Sequence, residues 1–314
     1  MAKAFVFPGQ GSQSVGMGQA LAEACPAARC VFDEVDEALG EKLSAIIWQG
    51  PSETLTLTEN AQPALMAVSL AAMRVLESEA GVDLMRDARF VAGHSLGEYS
   101  ALAAAGALSI ADSARLLRIR GRAMQQAVPV GAGAMAALLG LDFEQATAVA
   151  SEAAQGQICQ AANDNGGGQV VVSGDKAAVE RAVEIAKGKG ARRAMLLPVS
   201  APFHCELMKP AADAMAEALS EVTVSCPVVP VVANVRARPI SEPAEIVQAL
   251  VEQVTGTVRW RESVTFMAGE GVTLFYEVGA GKVLTGLVKR IAESARGMAI
   301  GTPEDIAAYK AEGG

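Results

Sequence analysis

Histidine is nearly absent from this chain, with two among 314 residues. A His-rich metal centre is therefore not expected, and neither a metal nor any other cofactor is called for. The cysteines (Cys25, Cys30, Cys159, Cys205 and Cys226) are odd in number, scattered, and form no C-x-x-C pair. They read as reduced thiols in a cytoplasmic protein. Positive charge is short as well: the formal net charge is −9, which argues against a general nucleic-acid or anionic-membrane binder. No uninterrupted apolar run reaches the roughly 18 residues of a membrane span. The start, residues 1–7, meets Pro8-Gly9 before any signal-like apolar segment develops. Neither G-x-x-x-x-G-K-[ST] nor a full G-x-G-x-x-G is present, so nucleotide binding has no support. Aromatics are only 4% of residues although hydrophobic residues are 51%, so the core must be built largely by close approach of small side chains.

What is present is an α/β rhythm. Residues 4–7 read as a buried strand ending at the turn Pro8-Gly9-Gln10-Gly11-Ser12, 61–76 as a helix, 88–92 as a second buried strand, and 97–107 as a small-residue helix. Between Pro129 and Pro198 the order changes to strand 134–141, helix 143–154, strands 158–162 and 169–173, helix 176–187 and strand 194–199. That βαββαβ order is the ferredoxin-like unit. The chain is thus expected to be α/β, with residues 1–128 and 199–314 forming a large domain around a parallel sheet and 129–198 an inserted ferredoxin-like subdomain. Strand-like runs at 228–233 and 273–278 continue the large domain.

Gly93-His94-Ser95-Leu96-Gly97 carries the chemistry. In a chain with 31 glycines, chance supplies a Gly-x-Ser-x-Gly easily. The context makes it specific: a strand leads in and a helix leads out, which is the sharp turn that lifts a nucleophilic hydroxyl above a sheet. The helix start also sets unpaired N–H groups and a partial positive charge beside the serine oxygen. A serine nucleophile needs a base. His94 adjoins Ser95 on a tight turn, where neighbours point apart, and reads as structural. His204, in a loop after a strand, is left as the base. Cys205 beside it reads as packing. No acid for a triad stands out.

One arginine is on the wrong side of its helix. Residues 109–126 read as a helix with Ser109 and Asp112 forming its cap. On a wheel, Ile110, Ala114, Leu117, Gly121 and Met124 share a face that Leu116 extends. Arg115, Arg118 and Arg122 cluster opposite, as solvated charges should. Arg120 falls between Met124 and Leu116, on the apolar flank. Such a guanidinium needs an anion, either one of the chain's own carboxylates or one that arrives with the substrate.

These residues together form a pattern. Pro8-Gly9-Gln10-Gly11-Ser12-Gln13, Gly93 to Tyr99, Arg120-Gly121, Pro202-Phe203-His204-Cys205 and Glu277 to Leu284 occur in an order that resembles the malonyl-CoA:acyl-carrier-protein transacylase family over nearly the whole chain. The resemblance implies an α/β-hydrolase-like core with a ferredoxin-like subdomain, and transfer of malonyl groups from malonyl-CoA to acyl carrier protein by a ping-pong route, supplying fatty-acid synthesis. It implies Ser95 as nucleophile, His204 as base, the N–H groups of Gln10 and Leu96 as oxyanion hole, Arg120 as clamp on the malonyl carboxylate, and the Gln253 carbonyl as the group orienting the histidine. Ala280 stands where the family usually has proline, and Phe203 where serine is common. Lys187, Lys189, Arg192 and Arg193, the densest basic cluster, are the expected docking point for an acidic carrier protein. The rival reading is a serine thioesterase, against which stands the position of His204, far from the C-terminus.

Overall fold

The computed structural model describes residues 2–311. Among these residues ten strands follow in chain order: β1 (Ala2–Phe7), β2 (Phe90–Gly93), β3 (Gly133–Leu139), β4 (Cys159–Asp164), β5 (Gln169–Asp175), β6 (Arg193–Leu196), β7 (Val231–Val232), β8 (Pro239–Ile240), β9 (Val272–Val278) and β10 (Arg296–Ile300). They form two sheets. The larger has the order β10-β9-β1-β2-β7-β8 and is parallel except for the β7–β8 pair. The smaller, β4-β5-β3-β6, is antiparallel throughout.

β1 shows why the large sheet is covered on both faces. Its residues alternate, Phe5 and Phe7 entering the core on one side and Ala4 and Val6 the core on the other, and all four are fully buried. The first core holds the long helix Thr58–Ala80, buried along most of its length, and the helix Ile110–Gln126 crossing it. Gly121 sits at that crossing. A Cβ there would lie 2.5 Å from Glu59 Cα and 2.7 Å from the Thr58 carbonyl oxygen, so only glycine permits the approach. The second core gathers Trp260, Phe275 and Leu284 beneath the other face.

The expected strands and helices between 134 and 199 are all present, with shifts at their ends. β6 stops at Leu196 rather than 199, because Pro198 cannot donate to a ladder. The run at 228–233 shrinks to Val231–Val232, for which Pro227 and Pro230 give the same reason. One side-chain expectation is overturned. Arg118 is not solvated but 6% exposed, hydrogen-bonded to Asn60 and ion-paired with Glu41. The helix Pro26–Leu39 and the start of Thr58–Ala80 cover the helix from a side the wheel had left open to solvent.

Candidate active site

Three adjacent parallel strands deliver the site from their C-terminal ends, where open α/β sheets place ligands. β1 runs into Pro8-Gly9-Gln10, β2 into His94-Ser95, and β7 into Ala233-Asn234. Between β2 and the helix Gly97–Ala104 the chain turns so tightly that Ser95 is left-handed, with φ 53°. Few non-glycine residues adopt that conformation, and those that do gather at functional sites. The glycines flanking the serine have a steric cause. A Cβ on Gly93 would fall 1.9 Å from the Gly97 carbonyl group, and one on Gly97 would fall 2.3 Å from the Phe7 carbonyl oxygen. Asn234 braces the turn, accepting from the Ser95 N–H at 2.7 Å and donating to the Gly93 carbonyl at 2.6 Å.

Ser95 Oγ donates to His204 Nε2 at 2.8 Å, and His204 Nδ1–H donates to the Gln253 carbonyl oxygen at 2.8 Å. A carbonyl can only accept, so the second bond fixes the proton on Nδ1 and leaves Nε2 free to take the serine proton. Burial, and then the charge of Arg120, hold the His204 pKa down at about 3, against the partial support of the Gln253 carbonyl. The imidazole is therefore neutral at rest, with Nε2 unprotonated. His204 is itself left-handed, with φ 58°.

Arg120 is 1% exposed and reaches the same oxygen. Nη2 donates to Ser95 Oγ at 3.1 Å and to Gln253 Oε1 at 2.8 Å, while Nη1 donates to Gln62 Oε1 at 2.6 Å. Those partners are neutral. Among the described residues Arg120 makes no ion pair, and its Nε has no hydrogen-bond partner. Burial lowers its pKa, offset by the nearby Tyr99 and Glu98, yet a guanidinium keeps its proton. The close crossing at Gly121 is what carries Arg120 to Gln62 on the facing helix. Gln62 donates to Thr58 Oγ1 at 3.0 Å, and Thr58 donates to Gln10 Oε1 at 2.9 Å, which ties the guanidinium to the turn after β1.

Ser95, His204, Arg120, Gln10 and Leu96 line one cavity of about 440 Å³, whose far wall comes from the smaller sheet through Met135 and Val171. Gln253 lies behind His204, fully buried. At the helix start the amides of Gly97, Glu98 and Tyr99 are taken by the carbonyls of His94, Ser95 and Leu96. The Leu96 N–H stands ahead of them, at the serine. His94 also lines the cavity but is engaged elsewhere: Nε2 meets Asn165 Oδ1 at 2.9 Å and its ring lies 5.7 Å from Trp260. Cys205 is fully buried, its thiol donating to the Pro202 carbonyl at 3.1 Å, and burial pushes its pKa up. Lys187 and Lys189 do not join the cavity; they pair with Glu184 and Glu152 at 2.7 and 2.5 Å.

Sequence reasoning missed Gln62, Asn234 and Glu98. Glu98 had a signal of the same kind as Arg120, a lone charge at the start of the otherwise apolar helix Gly97–Ala104. Gln62 and Asn234 had none, since amides in buried segments carry no periodicity of their own.

A serine, a neutral histidine and a buried cation around one oxygen define an acyl-transfer site. The comparisons with known proteins agree. A family profile described as the acyl transferase domain matches residues 4–306. The Bacillus subtilis protein named malonyl CoA-acyl carrier protein transacylase is 49% identical over 304 residues, covering 96% of this chain and 94% of its own length. The crystal structure of an acyl-carrier-protein-S-malonyltransferase from Bartonella henselae is 58% identical and superposes with a TM-score of 0.96, covering 98% of both chains. A malonyl-transacylase in complex with its type II PKS acyl-carrier protein is 44% identical, TM-score 0.95, over 99% of this chain and 100% of that one. The chain belongs to the acyl transferase family, on the branch of the malonyl CoA-acyl carrier protein transacylases.

Proposed function

We propose that this protein transfers the malonyl group of malonyl-CoA to the phosphopantetheine thiol of an acyl carrier protein through an ester on Ser95, supplying the extender unit of fatty-acid synthesis. The observation that carries the reading is the pairing at Ser95 Oγ: a neutral imidazole at 2.8 Å and, at 3.1 Å, a buried guanidinium whose protein partners are all uncharged. A carboxylate brought by the substrate completes that cation, and an Arg fork suits it in a bidentate way. The malonyl-transacylase names of the relatives support the same substrate pair.

In the first half-reaction Ser95 Oγ attacks the thioester carbonyl while His204 Nε2 takes its proton. The carbonyl electrons move onto oxygen, where the N–H groups of Gln10 and Leu96 hold the oxyanion, each such donor being worth about 3 kcal/mol. Collapse expels the CoA sulfur, which recovers the proton from His204. In the second half the carrier-protein thiol gives its proton to His204 and attacks the ester, and collapse expels Ser95 Oγ, which recovers the proton from His204. The Gln253 carbonyl holds the imidazole in one tautomer through both steps and replaces the acid of an ordinary triad. Arg120 selects for malonyl, because an acetyl group offers its fork no carboxylate to bind.

The fold reading is finer than α/β. The antiparallel order β4-β5-β3-β6 with two crossover helices supports a ferredoxin-like subdomain over 129–198, inserted in an α/β-hydrolase-like domain of 1–128 and 199–314. The basic residues Lys187, Lys189, Arg192 and Arg193 belong to that subdomain and are its proposed docking point for the carrier protein.

Intact-protein mass spectrometry after mixing with malonyl-CoA tests the proposal. A malonyl adduct should map to the Ser95 peptide, disappear in Ser95→Ala, and be discharged by carrier protein. A malonylated Ser95→Ala protein would reject the nucleophile, and rapid release of free malonate without carrier protein would favour the thioesterase.

A further inference from the structure

Glu98 has no place in the mechanism above, yet it is 1% exposed behind the site, against Asn234 and Gln253. Its Oε2 accepts from the Asn234 N–H at 3.0 Å and from Gln253 Nε2 at 2.8 Å. The same Gln253 amide donates to the Ser95 carbonyl at 3.0 Å and, through Oε1, accepts from Arg120 at 2.8 Å. Its orientation is forced. Turning it over would set an NH2 group against the guanidinium and an oxygen against two acceptors. One neutral amide therefore bridges a buried cation and a buried carboxylate, neither of which has an ion pair among the described residues.

We propose that Glu98 is the internal counter-ion of Arg120 in the empty enzyme, acting through the Gln253 amide, and that it takes up a proton when a malonyl carboxylate binds Arg120. This rests on Arg120 being the carboxylate clamp. In the empty site the guanidinium draws on Glu98 for compensation. Once the substrate carboxylate sits on Arg120, a second buried anion two hydrogen bonds away is surplus, and a proton from solvent neutralises it. Two like charges in one buried site raise the pKa of the group that can protonate. Glu98 is poised for this, because burial lifts its pKa to about 7 against the pull of Asn234, Gln253 and Arg120.

The groups facing Glu98 leave few alternatives. Arg120 reaches it from the helix Ile110–Gln126, and Tyr99, its neighbour, is held neutral by a pKa of about 12. His204 touches the same Gln253 from the loop after β6 and is neutral over the range concerned. β2 and β7 bring no titratable side chain. On β1 only Lys3 titrates, at the far end of the strand. The charges on Thr58–Ala80 are turned outward, with Glu59 paired to Arg122 and Arg74 to Glu77. Glu98 is a positioning residue: it sets the charge that Arg120 presents and touches no reacting atom.

Calorimetry decides it. Malonyl-CoA is titrated into Ser95→Ala enzyme, which cannot be acylated, in phosphate and in Tris at pH 7.5, and the difference in heat gives the protons exchanged. A net uptake of a substantial fraction of one proton is expected with malonyl-CoA and none with acetyl-CoA. Glu98→Gln in the same background keeps an oxygen for both donors. It should abolish the uptake and tighten malonyl-CoA binding at pH 8 more than at pH 6, by up to about tenfold for each unit by which binding raises the carboxyl pKa. Uptake that survives Glu98→Gln, or its absence in the Ser95→Ala parent, overturns the proposal. Equal affinity for malonyl-CoA and acetyl-CoA in the parent would instead bring down the clamp itself. Should Glu98→Gln not fold, the parent decides alone: uptake must be largest near and above neutral pH and vanish by pH 5, and a flat profile refutes it.

Discussion

Replacing Arg120 by alanine should reverse the acyl preference of the site rather than destroy the site. The guanidinium contributes two separable things. To the fold it gives hydrogen bonds to Gln62 and Gln253, at 2.6 and 2.8 Å. Losing a donor from a buried acceptor costs roughly 1–3 kcal/mol each, but the substitution also removes a fully buried charge with no ion pair, which works in the opposite direction. The net change in stability should be a few degrees in Tm at most. To the substrate it gives a charge-assisted contact, and truncating one partner of such a buried pair costs roughly 2–5 kcal/mol. That corresponds to a fall in kcat/KM for malonyl-CoA of roughly thirtyfold to several thousandfold. Acetyl-CoA carries no carboxylate and should lose less than about threefold. The assay is single-turnover acylation of Ser95 by each thioester, followed by intact mass. Equal losses for the two thioesters would refute the clamp and assign Arg120 to the serine alone.

The remaining expectations follow from the same geometry. His204 is neutral down to about pH 3, so kcat/KM for acylation should stay flat from pH 6.5 to 5, where an ordinary histidine would cost about sixteenfold; a fall of that size would refute its buried state. Because that folded pKa lies below the unfolded one, the stability His204 confers is complete above about pH 6.5 and is lost as pH falls toward 3, which urea denaturation across that range reads. Gly97→Ala should abolish acylation by pushing a methyl to within 2.3 Å of the Phe7 carbonyl oxygen, and an active, normally folded variant would contradict the turn geometry. Reversing Arg192 and Arg193 to glutamate should raise KM for the carrier protein several-fold and leave that for malonyl-CoA unchanged; a matching rise in both would remove the docking role.

The sequence by itself determined the features that depend on short stretches of chain. A strand, three residues and a helix suffice to make the turn at Ser95, because Gly93, which must lack a side chain there, spares the backbone of Gly97 only four residues on. Arg120 was legible for a related reason: helical period alone puts it among Met124 and Leu116, whatever packs there. The same wheel failed at Arg118. Periodicity gives the direction a side chain takes, and only the neighbouring helices decide whether that direction meets water, Asn60 or Glu41. The tertiary structure alone decided the partners. Ser95, Arg120, His204, Asn234 and Gln253 come from five separated segments, and hydrogen bonds between them depend on strand order and helix crossing, not on spacing along the chain. The part of Glu98 was hidden for that reason, since its connection to Arg120 passes through an amide more than 150 residues away in sequence.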